Sequence, residues 1–147
     1  MVLEKIKTLI RENNICVLAT IGAKGPHTSL MAYTCSTDCT EIYLVTPVNT
    51  LKYRNLTSNA RVSLLVDTRE KESRATVRAL TITGKAGVMG DRGKIDAVRS
   101  QIKLRHAHLQ DLPDQPDIAF ICVGIETIQL QNGVHESHFV RLSDTDD

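Results

Sequence analysis

Four residues able to hold an anion crowd into one short stretch, TPVNTLK: Thr46, Asn49, Thr50 and Lys52. The hydroxyls and the amide are hydrogen-bond donors, and the lysine adds a full positive charge. A strand-like run ends at Pro47, and a helix-like run begins near Asn49 or Thr50. Lys52 then falls in the first helical turn, where the helix dipole favours an acid over a cation. No Asp or Glu occurs from Ile42 to Val66. The free N–H groups of a helix start make a ready anion site. With Asn49 as N-cap, Lys52 takes the third helical position, within reach of the same point. Arg54 and Arg61 are further cations nearby in sequence. The competing reading is a simple cap, with Lys52 pointing into water, at a cost of only about 0.3–1 kcal/mol. On the residues alone both readings stand.

Other chemistry-bearing residues point less sharply. His106 and His108 are two apart on a predicted helix and should face apart. His135 and His138 are three apart on a predicted strand and should point to opposite faces. Neither spacing makes a metal pair, and surface or rim positions are expected for them. His27 starts a strand and reads as a solvent-exposed strand end, with a ligand contact as the alternative. Tyr33 and Tyr53 read as core or rim residues. The four cysteines form no CxxC pair. Cys16 and Cys122 sit in apolar runs and read as small buried hydrophobes, while Cys35 and Cys39 flank a turn. There is no Gly-x-Ser-x-Gly elbow, Walker loop or GxGxxG.

The elements that must position these residues follow from periodicity. Leu3, Ile6 and Ile10 recur at helical spacing, which predicts a helix over about residues 2–13. ICVLATI, apolar on both faces, predicts a buried strand. After the turn at Gly22–Pro26, a second strand is predicted from His27 to Thr34, and a third from Glu41 to Thr46. The short helix follows, then a strand from Arg61 to Asp67. TREKESRAT is a charged, exposed loop. A long strand, Val77 to Val88, contains Gly84 and Gly87, which predict a bulge or a close backbone approach. Asp91 is the predicted cap of a helix running to about Leu109. DLPDQPD reads as a linker. Ile118 to Leu130 and Val134 to Leu142 pair about an Asn132-Gly133 hairpin turn. Short turns between most neighbours imply a mainly antiparallel sheet, and seven Gly-punctuated strands could close into a small barrel.

The 147 residues favour one domain, expected over residues 1–142, with an acidic tail, 143–147, expected to be disordered. A net charge of +1 gives no global drive towards nucleic acid or an anionic membrane. Only five Tyr and Phe, with no Trp, make a base-stacking surface a poor expectation. No apolar run approaches the ~20 residues of a membrane span. The amphipathic N-terminus is unlike a signal peptide, and a reduced, cytoplasmic protein is expected.

The ordered set of Thr46, Thr50, Lys52, Asn55-Leu56, Asn59 and Arg61-Val62-Ser63-Leu64-Leu65 resembles the pyridoxamine 5′-phosphate oxidase-like, FMN-binding split-barrel family. LATIGAKGPHTSLMAY looks like the family's first hairpin, and TITGKAGVM like its strand with an embedded Gly-x-Ala. The order of elements matches from about residue 2 to 131. The resemblance implies a mainly β protein with flanking helices: an antiparallel split β-barrel of six or seven strands that forms a homodimer. It implies an oxidoreductase acting on a small molecule, with FMN at the dimer interface and a reduced nicotinamide or a partner protein as electron source. A non-enzymatic flavin carrier is the alternative role, and F420 or haem the alternative ligand. Carried over by position, Thr46, Asn49, Thr50 and Lys52 would hold the phosphate. Thr28, Ser29, Leu30 and Met31 would run along the flavin ring. The partner would cover the ring with strands matching Leu80 to Gly84 and the C-terminal strands. Three departures argue against vitamin B6 oxidation. Leu51 stands where the oxidases have Arg before the Lys, Ala79 stands where they have a flavin-contacting Gln, and their C-terminal substrate signature is not recognisable.

Overall fold

A computed structural model describes residues 1–134 and 136–142. It contains helices α1 (Val2–Glu12), α2 (Leu51–Ser58) and α3 (Arg92–Arg105). The strands are β1 (Ile15–Gly22), β2 (Gly25–Ala32), β3 (Thr34–Cys35), β4 (Glu41–Pro47), β5 (Arg61–Asp67), β6 (Arg78–Val88), β7 (Ile118–Asn132) and β8 (Glu136–Arg141). Every pairing is antiparallel, in the order β2-β1-β5-β6-β7-β4-β3, with β8 also on β7. The sheet curls into the half-barrel of a split-barrel fold, as the family resemblance implied.

The core lies on the concave face. Cys16, Leu18 and Thr20 of β1 point inward, as do Val62, Leu64 and Val66 of β5 and Leu80 and Ile82 of β6. This is the two-residue alternation of a sheet with one buried face. Helix α1 closes one end with Ile6, Leu9 and Ile10. Helix α3 covers the opposite face of β4 and β7, through Val98 and Ile102 against Tyr43, Val45 and Phe120. Arg99 lies over the Phe120 ring, 5.2 Å from its centroid.

Several predicted boundaries shift for local reasons. The single strand His27–Thr34 is two strands, β2 and β3, because the chain changes partner at Tyr33. Helix α2 starts one residue later than an Asn49 cap would set: Thr50 is the N-cap, and Lys52 takes the second helical position. Helix α3 ends at Arg105. The linker that follows contains a single 3₁₀ turn, Leu112–Asp114, with Pro113 buried. The hairpin forms as expected, but Asn132 still belongs to β7 and pairs with Glu136, so the turn begins at Gly133 (φ 66°) and the return strand starts at Glu136 rather than Val134. The loop 68–76 is charged, yet tied down: Thr68 is buried, Arg78 pairs with Glu72, and Lys71 donates to the Glu12 carbonyl at 2.6 Å. The predicted acidic tail and His135 lie outside the described residues.

Of the two glycines singled out in the long strand, only Gly84 is required by its surroundings. A Cβ there would overlap the Gly124 carbonyl oxygen, next to the register shift between β6 and β7. At Gly87 nothing lies within 4 Å, so no close approach exists there.

Candidate functional site

The site is a product of strand pairing. Up to Ala32 the chain pairs with β1, and from Thr34 it pairs with β4. The β3–β4 ladder ends at Thr34↔Tyr43. Continuing that register would set Ala32 opposite Val45 and Leu30 opposite Pro47. Instead β2 and β4 diverge, and these four residues line a cavity of about 260 Å³. Met31 and Lys52 reach the same cavity. Its outer wall is Ile102 of α3 with His108, Leu109 and Leu112 from the segment that follows.

Tyr33, at the change of partner, is wholly buried and held at three points. Its N–H donates to the Asn14 carbonyl at 3.0 Å and its hydroxyl to the Ile10 carbonyl at 2.7 Å. Its carbonyl lies 2.9 Å from His106 Nε2. Burial pushes the Tyr33 phenol far above its ordinary pKa. His106 caps the C-terminus of α3 and is buried, contrary to its expected surface position. Its ring meets that of His108 edge-on at 6.0 Å, so the two do not face apart. The helix ends before His108, which removes the geometry on which that expectation rested.

Thr50 secures the start of α2. Its hydroxyl donates to the Pro47 carbonyl at 2.9 Å and accepts from Tyr53 N–H at 3.3 Å. Thr46, fully buried, places its hydroxyl 3.3 Å from that of Thr50. Asn49 is exposed, and Lys52 is partly exposed. No acidic residue occupies the first turn. The structure therefore brings Leu30, Met31 and Lys52 to one cavity and sets Thr46 and Thr50 together at the foot of the helix above it. Asn49 stands apart in solvent. The β2 set divides by face: Ser29 and Met31 are on the concave side, Thr28 and Leu30 on the convex side, Leu30 with 74% of its surface exposed.

A second polar cluster had no signature in the sequence because its members come from three elements. Glu41 Oε1 accepts from the Tyr43 hydroxyl at 2.7 Å and from Lys94 Nζ at 3.0 Å, and Glu41 Oε2 accepts from the Cys122 thiol at 3.2 Å. The Tyr43 hydrogen bond, with help from Lys94, holds the Glu41 carboxyl below its usual range. Burial and the carboxylate push the Cys122 thiol up to about 11, so it is protonated at neutral pH. Cys122 was expected to be a plain buried hydrophobe; it is partly exposed and hydrogen-bonded. The cluster borders a cleft of about 450 Å³.

The sequence profile of the pyridoxamine 5′-phosphate oxidase family matches residues 2–132, and the chain belongs to that family. A search of curated proteins gave no match. Solved structures share the fold. A haem-binding protein from Mycobacterium smegmatis superposes with TM-score 0.84 at 19% identity, over 96% of this chain and 58% of that one. HutZ, the haem storage protein of Vibrio cholerae, gives 0.73 at 21% identity, over 88% and 93%. General Stress Protein 26 from Bacillus anthracis gives 0.74 at 22%, over 96% and 98%. No described helix is long and apolar enough to cross a membrane.

Proposed function

We propose that this protein is an FMN-binding oxidoreductase that acts on a small molecule as a homodimer. The observation that carries the reading is the slot between β2 and β4, where Lys52 meets an apolar lining beneath a helix start free of acids. The phosphate sits at the first turn of α2 with Lys52, and Thr46, Thr50 and Asn49 are its polar neighbours. The flavin ring lies along β2, an edge strand whose free backbone groups can pair with a heteroaromatic edge. Bound flavin supplies the redox chemistry. The chain's own part is to hold the anion, orient the ring and exclude water with Val45, Ile102 and Leu112.

The convex face supports the homodimer. Ala19, Ser63, Thr83 and Thr127 lie in one cross-strand row of small side chains, with Val17 and Leu65 in the adjoining row. Such a surface lets a second sheet approach closely. The copy seated there would close the open side of the slot.

The second reading keeps the slot and changes the ligand to haem. It is favoured by the imidazole of His108 on the lining and by the haem proteins among the structural relatives. The visible spectrum of the purified protein, with mass identification of whatever co-purifies, separates them: flavin bands support the first reading and a Soret band the second. A folded sample that takes up no FMN in a fluorescence titration overturns the first. NADH turnover with FMN bound separates an enzyme from a flavin carrier.

A further inference from the structure

All four cysteines are free thiols, and two of them meet. Cys35 ends β3, and Cys39 lies in the turn that leads into β4. That turn folds back on Ser36. The Cys39 N–H donates to the Ser36 carbonyl at 3.0 Å, and the Ser36 hydroxyl accepts from the N–H groups of Thr40 and Glu41 at 3.2 and 3.0 Å. The chain between the two cysteines is thus one tight bend, and both side chains pack on the same core cluster. The Cys35 thiol is hydrogen-bonded to the Cys39 sulfur. Cys39 is buried, and its own thiol donates to the Lys7 carbonyl of α1, at 3.8 Å. Its backbone sits at φ 59°, a left-handed conformation that glycine or asparagine adopts at less cost. Turn chemistry alone therefore does not account for a cysteine at this position.

Cys35 is the open end of the pair, partly exposed. The Arg11 guanidinium donates to the Thr37 carbonyl of the same turn at 3.1 Å, and Arg105 donates to the Arg11 and Asn13 carbonyls at 2.8 and 3.0 Å. Both charges favour the Cys35 thiolate. Burial, followed by the adjacent Cys39 sulfur, outweighs them and pushes the Cys35 thiol up to about 11. Attack on an external sulfur is therefore slow at neutral pH, whereas closure onto a sulfur already in contact is favoured by proximity.

We propose that Cys35 and Cys39 form a reversible dithiol–disulfide couple, a site that takes a low-molecular-weight disulfide such as oxidised glutathione. The Cys35 thiolate attacks one sulfur of that disulfide. Its S–S bond breaks, and the departing thiolate takes up the proton that Cys35 released. The Cys39 thiolate then attacks the Cys35 sulfur and displaces the second small thiolate, which takes up the Cys39 proton. Two electrons and two protons pass from the protein to the small disulfide, and one S–S bond replaces another. Closure also removes the S–H that Cys39 gives to Lys7, and with it one contact between the turn and α1.

The test equilibrates the native full chain with excess oxidised glutathione, quenches with acid, alkylates the remaining thiols and digests with trypsin. No Lys or Arg lies between Gly25 and Leu51, so both cysteines fall in one peptide that holds no other cysteine. That peptide should be two hydrogens lighter and unalkylated, and dithiothreitol before alkylation should restore two reactive thiols. Cys39→Ser should stop the reaction at a mixed disulfide between Cys35 and glutathione. A wild-type peptide that keeps two free thiols, or that carries glutathione on Cys35, overturns the proposal. The wild-type digest decides by itself, so the outcome does not depend on whether the serine variant folds.

Discussion

Asn55 of α2 donates its side-chain amide to the Thr20 hydroxyl of β1, and both residues are buried. The bond fastens a short helix, whose own buried apolar residue is Leu56, to β1, a strand paired on both sides. It needs the space above Gly22, where a Cβ would overlap Asn55 Oδ1 and lie 2.8 Å from its Cγ. Gly22→Ala should therefore displace Asn55, leave buried polar groups unpaired and cost about 1–3 kcal/mol. Urea denaturation measures the loss. A variant as stable as the wild type would show that Asn55 is free to move.

Gly84 and Gly87 offer a matched comparison within one strand. Gly84→Ala forces a methyl onto the Gly124 carbonyl and should cost about 2–4 kcal/mol. Gly87→Ala meets nothing and should change stability by no more than about 0.5 kcal/mol. Thermal melts of the two variants side by side check the contrast, and similar melting points would refute it.

Glu41 makes a specific prediction for acid stability. The hydrogen bond from Tyr43, then that from Lys94, lowers its folded-state pKa from the ordinary value of 4.5. A lowered carboxyl pKa stabilises the fold above the unfolded value, and the contribution is lost as pH falls through the folded one. Glu41→Gln should thus lower stability at pH 7 by about 1–2 kcal/mol, given partial exposure, and narrow its gap to the wild type below pH 4.5. A constant gap from pH 7 to pH 3, as read by denaturant midpoints, would assign the loss to shape rather than charge.

Lys52 should act on the ligand and leave the fold alone. Lys52→Ala removes a cation from the positive end of a helix, so stability should hold or rise slightly. FMN affinity should fall by about 1.5–3 kcal/mol if the lysine makes a charge-assisted bond to phosphate. Titration and a thermal melt on the same sample test both halves, and unchanged affinity removes Lys52 from the site.

Buried His106 can be checked through its partner. His106→Leu leaves the buried Tyr33 carbonyl without a donor and should cost about 1–3 kcal/mol, whereas His106→Gln can restore one. Equal stability of the two variants would show that the 2.9 Å contact contributes little.

The legible parts of this chain were those encoded locally. The strands β1 and β5, the Asp91 cap of α3 and the Gly133 turn could all be read from a few adjacent residues, although β1, read as apolar on both faces, buries only one of them and leaves Ile15 and Ile21 exposed. So could the acid-free start of α2, although Asn49 and Thr50 are both good caps and only the backbone decides for Thr50. Long-range partnerships were not legible. The change of partner at Tyr33 depends on β4, Asn14 and His106, and the Glu41 cluster draws on Lys94 and Cys122. Periodicity also ran the helix past His106, because His, Ala and Leu carry no stop signal of their own.

The strand that leaves β1 for β4 has a consequence for how such a slot diversifies. Its mouth is an aperture set by connectivity, anchored at Tyr33 by main-chain atoms and a buried phenol. Side chains on the rim, such as Leu30 and His108, contribute little to that anchoring and can be exchanged one at a time. The opening is thus inherited with the topology, while the molecule admitted is chosen by a handful of replaceable residues at its border.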